Sequence, residues 1–278
     1  MTIVLSVKVN EGVVVAADSA ATLSGPVPGV ANTLQVTNVY THANKIIHLH
    51  KDLPLGLATW GAGSIGQESV YTLSKDLRQD LMGQETKAAL SVSEAAQQVR
   101  DYFFEQKYQQ LYGQQPPELQ PPLGILVFGY SPGQPLAEEW LVEIQPGGHC
   151  PPPQPIRKLG EAGLSWHGEQ EAIHRLVWGY SQALHEVLDT VALEPEAQQA
   201  IVAGLQQRAH VNYLVHPAMP IQDAIDLAEF LVHLTIMYAR FVPGPPIVAA
   251  PIEIATITKH EGFRWIRRKF YFDQQYNP

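Results

Sequence analysis

The chain has 278 residues, of which 45% are hydrophobic, enough to build a substantial buried core. Acidic residues outnumber basic ones 27 to 18, and the formal net charge of -9 leaves no basic stripe with which to neutralise a phosphate backbone, so nucleic acid is not an expected partner. The single cysteine, Cys150, excludes an internal disulfide and fits a reducing compartment. The opening MTIVLSVKVNEG lacks the pattern of a secretory leader, and the longest apolar stretch, AIDLAEFLVHLTIMYARFV, is interrupted by Asp226, Glu229, His233 and Arg240, so a cytoplasmic protein with no membrane partner is expected.

The predicted elements begin with TIVLSVKV and VVVAADS, two β-branched runs joined by the short turn NEG, which read as a tight antiparallel hairpin. Residues 23–38, rich in Gly, Pro, Thr and Asn, read as a loop or irregular strand. A second hairpin follows from NKIIHLH, the turn KDLP and LGLATW. The apolar positions Ile65, Val70, Leu73, Leu77 and Leu81 predict a helix over SIGQESVYTLSKDLRQDLMG, and Ser91 with Glu94 forms capping-box spacing ahead of the next helix. After the connector QQPPELQPP come the strands LGILVFGY and EEWLVEIQPGG, then the loop HCPPPQP. Helices are predicted over QEAIHRLVWGYSQALHEVL, PEAQQAIVAGLQQRA and MPIQDAIDLAEFLVHLTIMYARF, and the strands IEIATITKH and FRWIRRKFYF close the chain. Strands, helices, strands, helices, strands is the order of an α+β protein with antiparallel sheets. With no internal repeat or charge block, residues 1–278 are expected to form one domain.

Gly61, Gly63 and Gly66 fall on the spacing G-x-G-x-x-G, the fingerprint of dinucleotide-binding turns. That use needs a parallel βαβ unit and an acid at the tip of the next strand. Here the preceding strand is tied to its predecessor by a four-residue turn, which requires an antiparallel pair, and the nearest acid at the right distance, Glu85, lies in a polar link. A cofactor-binding oxidoreductase is therefore disfavoured, and no cofactor is expected.

Pairing within the hairpins points elsewhere. If Val9 and Gly12 flank the first turn, partner numbers sum to 21 and Thr2 faces Asp18 and Ser19; if His50 and Leu55 flank the second, they sum to 105 and Lys45 faces Trp60, beside the amide of Gly61. A threonine at position 2 becomes the first residue once Met1 is removed, and its own α-amine, with a reference pKa of about 7.7 to 8, can take the hydroxyl proton. Lys45 would favour the alkoxide, Asp18 would orient Lys45, and glycine amides at a helix start would hold an oxyanion. These are the parts of an acyl-transfer site.

The residues TIVLSVKVNEGVVVAADSAAT, NKIIHL and GLATWGAGSIG resemble the N-terminal core of proteasome-type β subunits, the threonine branch of the N-terminal-nucleophile (Ntn) hydrolases. The resemblance is strongest over residues 2–81. It implies a four-layer αββα sandwich of two antiparallel sheets between helix layers, assembled into a ring that acts on peptide or unfolded-protein substrates. It implies Thr2 as nucleophile, Asp18 and Lys45 as its polar partners and Gly61 as oxyanion donor, with Ser19 and Ser165 as supports. Ala21, Ala43, Ile47, Thr59 and Gly63 would line an apolar side-chain pocket, and substrate backbone would pair near Thr22. Where family members carry an arginine after ADS, this chain has Ala20, and RFVPGPPIVAAPIEI lacks the acid and serine that usually follow the late helix. The alternative function is a non-catalytic assembly subunit. His48 with His50, and the group His167, Glu169, Glu171 and His174, read as polar strand and helix ends rather than metal ligands, and Cys150 reads as structural.

Overall fold

The computed structural model describes residues 2–26, 34–83, 90–191, 193–208 and 214–269. Glu85, Met1 and the last three residues of the predicted strand over 263–272 lie outside them. One five-stranded antiparallel sheet has the order β12-β1-β2-β13-β14, from Gly163–Gly168, Ile3–Val9, Gly12–Ala17, Glu253–Thr258 and Gly262–Arg267. The first hairpin pairs as the turn dictates: Val9 faces Gly12 and Val4 faces Ala17. A side chain at Gly12 would meet the Ile257 carbonyl oxygen at 2.3 Å, so this tight turn admits only glycine beside β13.

The second five-stranded sheet has the order β11-β10-β9-β6-β5, from Gln154–Pro155, Glu138–Ile144, Leu123–Gly129, Leu55–Gly61 and Ile46–His50. Here the expected register is corrected. A bulge between His48 and His50 shifts the ladder so that Ile46 pairs with Ala58, and Lys45 lies opposite Thr59 rather than Trp60, with the Thr59 N–H donating to the Lys45 carbonyl at 3.0 Å. The chain after Gly61 also differs from expectation. Gly61 and Gly66 both take positive φ (87° and 61°), turning the backbone into a two-rung hairpin, β7 (Ser64–Ile65) and β8 (Glu68–Ser69), so helix α1 begins only at Val70 and runs to Gly83. The segment read as a loop or irregular strand overlaps a separate antiparallel pair, β3 (Ala21–Pro26) with β4 (Leu34–Tyr40), and its residues 27–33 lie outside the described ones.

The inner strands β1, β2 and β9 are buried on both faces because each sheet packs two ways. Ile3, Leu5, Val7, Val14 and Ala16 turn toward Ala224, Ala228, Leu231 and Val232 of α7 (Ile221–Phe241), while Val4, Val13, Val15 and Ala17 share a cluster with Ile46, Ala58, Leu126 and Phe128 of the second sheet. The opposite face of that sheet, with Leu57, Ile125 and Val127, packs on α1 and on α2 (Val92–Arg100). Helix α2 starts in the predicted capping box, Ser91 and Glu94 bonding reciprocally, and continues through a π-helical stretch at Asp101–Tyr108 into α3 (Gln109–Tyr112). The long helix predicted over 170–188 is two: α4 (Glu171–Trp178) stops at Gly179, which is left-handed, and α5 (Ala183–Thr190) follows. Helix α6 spans Pro195–Arg208. No described helix is long and apolar enough to cross a membrane.

Candidate active site

Thr2 and Asp18 stand at the open end of the first hairpin, and both are buried. Asp18 is where the elements converge. Its Oδ1 accepts the Ile3 N–H at 3.0 Å and the Lys45 ammonium at 2.5 Å; its Oδ2 accepts the N–H groups of Ala20 at 2.8 Å and Ala249 at 3.1 Å. One carboxylate thus ties the residue after Thr2 to Lys45. The Thr2 carbonyl accepts the Glu169 N–H at 2.7 Å, fixing the start of β1 against the end of β12. Burial pushes the Lys45 ammonium below its ordinary pKa, and the adjacent Asp18 carboxylate opposes that shift.

Thr2, Lys45 and Gly61 share the wall of a cleft of about 280 Å³. Because the Thr59 N–H points to the β5 side and the Ala62 N–H donates to Pro122 on the β9 side, alternation turns the Gly61 N–H toward the β5 side, one rung beyond the last pairing with Lys45. This amide belongs to a strand end, not to the helix start expected from the sequence. Its φ of 87°, and the 2.5 Å between a built side chain and the Pro122 carbonyl oxygen, require glycine. Gly61→Ala is expected to cost about 1 to 3 kcal/mol in backbone strain, read as a lower urea midpoint, and to displace this donor.

Of the predicted substrate-contacting residues, Ala21, Thr22, Ala43, Thr59 and Gly63 line the cleft. Ile47 does not: it is buried in the core with α1, because the bulge follows it and its side chain turns to the helix face. Ser165 is also displaced from its expected role. It pairs with Ser6, the two hydroxyls 2.7 Å apart, four residues along β1 from Thr2, and the backbone beside Thr2 is instead that of Gly168 and Glu169. Ser19 is fully buried, its hydroxyl donating to the Pro251 carbonyl. The segment after α7 that lacks the expected acid and serine still serves Asp18, through the Ala249 amide.

The sequence reading missed a second buried ion pair. Glu253 on β13 accepts the N–H groups of Lys45 at 3.0 Å and Ile46 at 3.4 Å, and lies 3.4 Å from the Lys269 ammonium. An acid within the apolar alternation IEIATIT is a signal for a buried partner. Lys269, in the run RRK, carries no such signal.

His167 and Trp60 stack between the sheets, ring centroids 4.3 Å apart, and burial with Arg157 nearby lowers the His167 pKa to about 4. The folded state therefore binds fewer protons than the unfolded chain between pH 6.5 and about 4, and stability is lost as pH falls through that window. The loss from this group is about 3 kcal/mol between pH 7 and 4. His167→Phe, which keeps the stack, is expected to show a flatter acid limb in urea unfolding. The other groups weighed as metal ligands are dispersed: His48 stacks on Phe263, Glu171 bonds Arg175 and Ser181, and His174 contacts the Tyr180 carbonyl. Cys150 is buried, its thiol pushed up to about 11.

The α+β arrangement of antiparallel sheets and helices is shared with two solved structures. Anbu from Yersinia bercovieri, described as an ancestral β-subunit, superposes with a TM-score of 0.51 at 12% identity over 95% of this chain and 86% of its own. A mutant of Anbu from Hyphomicrobium sp. strain MC1 gives 0.53 at 16% identity over 99% of this chain and 90% of its own. At such identities the likeness establishes the fold. No family model and no curated protein matches the chain.

Proposed function

We propose that this chain is a threonine-type peptidase of the Ntn-hydrolase class, with the four-layer αββα arrangement, working in the cytoplasm as a subunit of a proteasome-like ring. The observation that carries this reading is the Asp18 carboxylate, which joins the Ile3 amide and the Lys45 ammonium beside a cleft shared with Thr2 and Gly61. With Met1 removed, the Thr2 amine takes the hydroxyl proton as Oγ attacks the peptide carbonyl carbon. The Lys45 charge favours the alkoxide, and the Gly61 N–H holds the tetrahedral oxyanion. The C–N bond then breaks, the departing amine receives the proton held by the Thr2 amine, and water hydrolyses the Thr2 ester.

The cleft favours an apolar substrate side chain, since Ala21, Ala43, Val70 and Tyr71 line it. Substrate backbone would pair near Thr22, which lines the cleft. Exposed Phe230, Phe241 and Val242 support subunit contacts in a ring. Intact-mass analysis before and after incubation with an epoxyketone tests the proposal. The expected result is a chain beginning at Thr2 that gains one inhibitor mass. Retained Met1, or a Thr2-initiated chain that gains nothing, would assign the non-catalytic assembly role instead.

A further inference from the structure

Two buried lysines meet near the cleft, and the mechanism above uses one of them. Lys269 follows β14 and is nevertheless drawn inward, its ammonium donating to the Ser19 hydroxyl at 2.8 Å and to the Ala43 carbonyl, and pairing with Glu253. Each of these partners leads back to the reacting groups. Ser19 follows Asp18 directly, and its carbonyl accepts the Ala43 N–H at 3.0 Å. Ala43 lines the cleft two residues before Lys45, and Glu253 holds the Lys45 and Ile46 amides. Placing a lysine and a glutamate inside a protein carries a desolvation cost for each ion, and a pair of apolar residues filling the same space would avoid it. The pair is therefore hard to explain by stability alone, whereas its contacts fall on the segment that presents Lys45.

We infer that Lys269 and Glu253 form a positioning pair that sets the Lys45 ammonium against Asp18 and anchors Ala43 on the cleft wall. The charged groups acting on Lys45 are Asp18 at the end of β2, Glu253 on β13 and Lys269 after β14, together with the Thr2 amine once Met1 is gone. Among them Lys269 opposes protonation of Lys45, while Asp18 and Glu253 favour it. The inference rests on the hydrolase reading for its catalytic consequence, but the coupling between the two lysines does not.

The test separates these. Lysine side-chain NMR with isotopically labelled protein follows the titration of Lys45 in the parent, in Lys269→Met and in Lys269→Arg. The Lys45 titration is expected to move to higher pH in Lys269→Met and to stay near the parent in Lys269→Arg. In parallel, the rate of adduct formation with an epoxyketone is expected to fall by about tenfold or more in Lys269→Met and to recover in Lys269→Arg, as a reacting group loses and regains its alignment. Lys269→Met/Glu253→Gln, which leaves no unpaired carboxylate, guards against simple misfolding and is expected to remain slow, because the Ala43 carbonyl is still unheld. If the variants lose only thermal stability, with the Lys45 titration unmoved and the adduct rate of the double variant equal to the parent's, the positioning role is overturned. If no form of the protein takes up the inhibitor while the Lys45 titration moves as stated, the hydrolase reading fails and the coupling stands.

Discussion

Thr2→Ala is expected to lower peptide hydrolysis by about 10³-fold or more, because it removes the oxygen on which the proposed acyl ester forms. The epoxyketone adduct should disappear with it, while the urea midpoint should change little. Thr2 precedes β1, its substitution to alanine removes only the hydroxyl and methyl at the cleft wall, and the backbone bond from Glu169 to the Thr2 carbonyl survives. Thr2→Ser, which keeps the oxygen, should retain measurable turnover and the adduct. A Thr2→Ala protein that hydrolyses peptide as the parent does would place the chemistry elsewhere.

Lys45→Met is expected to produce the second largest loss, in activity and in stability together. It leaves the Asp18 carboxylate buried without its cation, and removing one partner of such a pair costs about 3 to 5 kcal/mol, toward the lower end here because three N–H groups still reach that carboxylate. Asp18→Asn should be no milder. Both Asp18 oxygens accept from N–H donors, so an amide in that position turns its own N–H₂ against one pair of them. The pH dependence has a defined sign. The folded protein releases the Lys45 proton at a pH below the ordinary lysine value of 10.5, so activity that needs the ammonium falls on the alkaline side before that value is reached. Within the same window the unfolded chain holds more protons, and stability contributed by this group rises with pH. Urea unfolding across the alkaline range, with Lys45→Met as the reference, reads that slope directly.

How far the site was readable from residues alone follows from what sets strand register. The first hairpin came out in register because a two-residue turn leaves little freedom and because every residue from Ile3 to Val9 is buried, so a slip by one would exchange the helix-facing and sheet-facing sets. The second hairpin carries an extra residue near Leu49, where the two apolar faces are alike enough that alternation gives no warning of a bulge. Helix α1 starts later than apolar periodicity predicts because Gly61 and Gly66 bend the chain by positive φ, a property that composition announces but does not orient. The break at Gly179 was hidden by apolar periodicity continuing on either side of it. Glu253 and Lys269 meet through the return of the last strands to the first, a long-range pairing with no local signature.

Asp18 is held by an amide 231 positions later, and the strand beside β2 is β13, so a nascent chain on the ribosome exposes Thr2 long before it can assemble the surroundings of Thr2. Contacts so distant in sequence form late and slowly. On the proposed hydrolase reading, the Thr2 region would stay chemically silent until the last strands dock, because a chain cut short before residue 249 lacks a donor that holds Asp18.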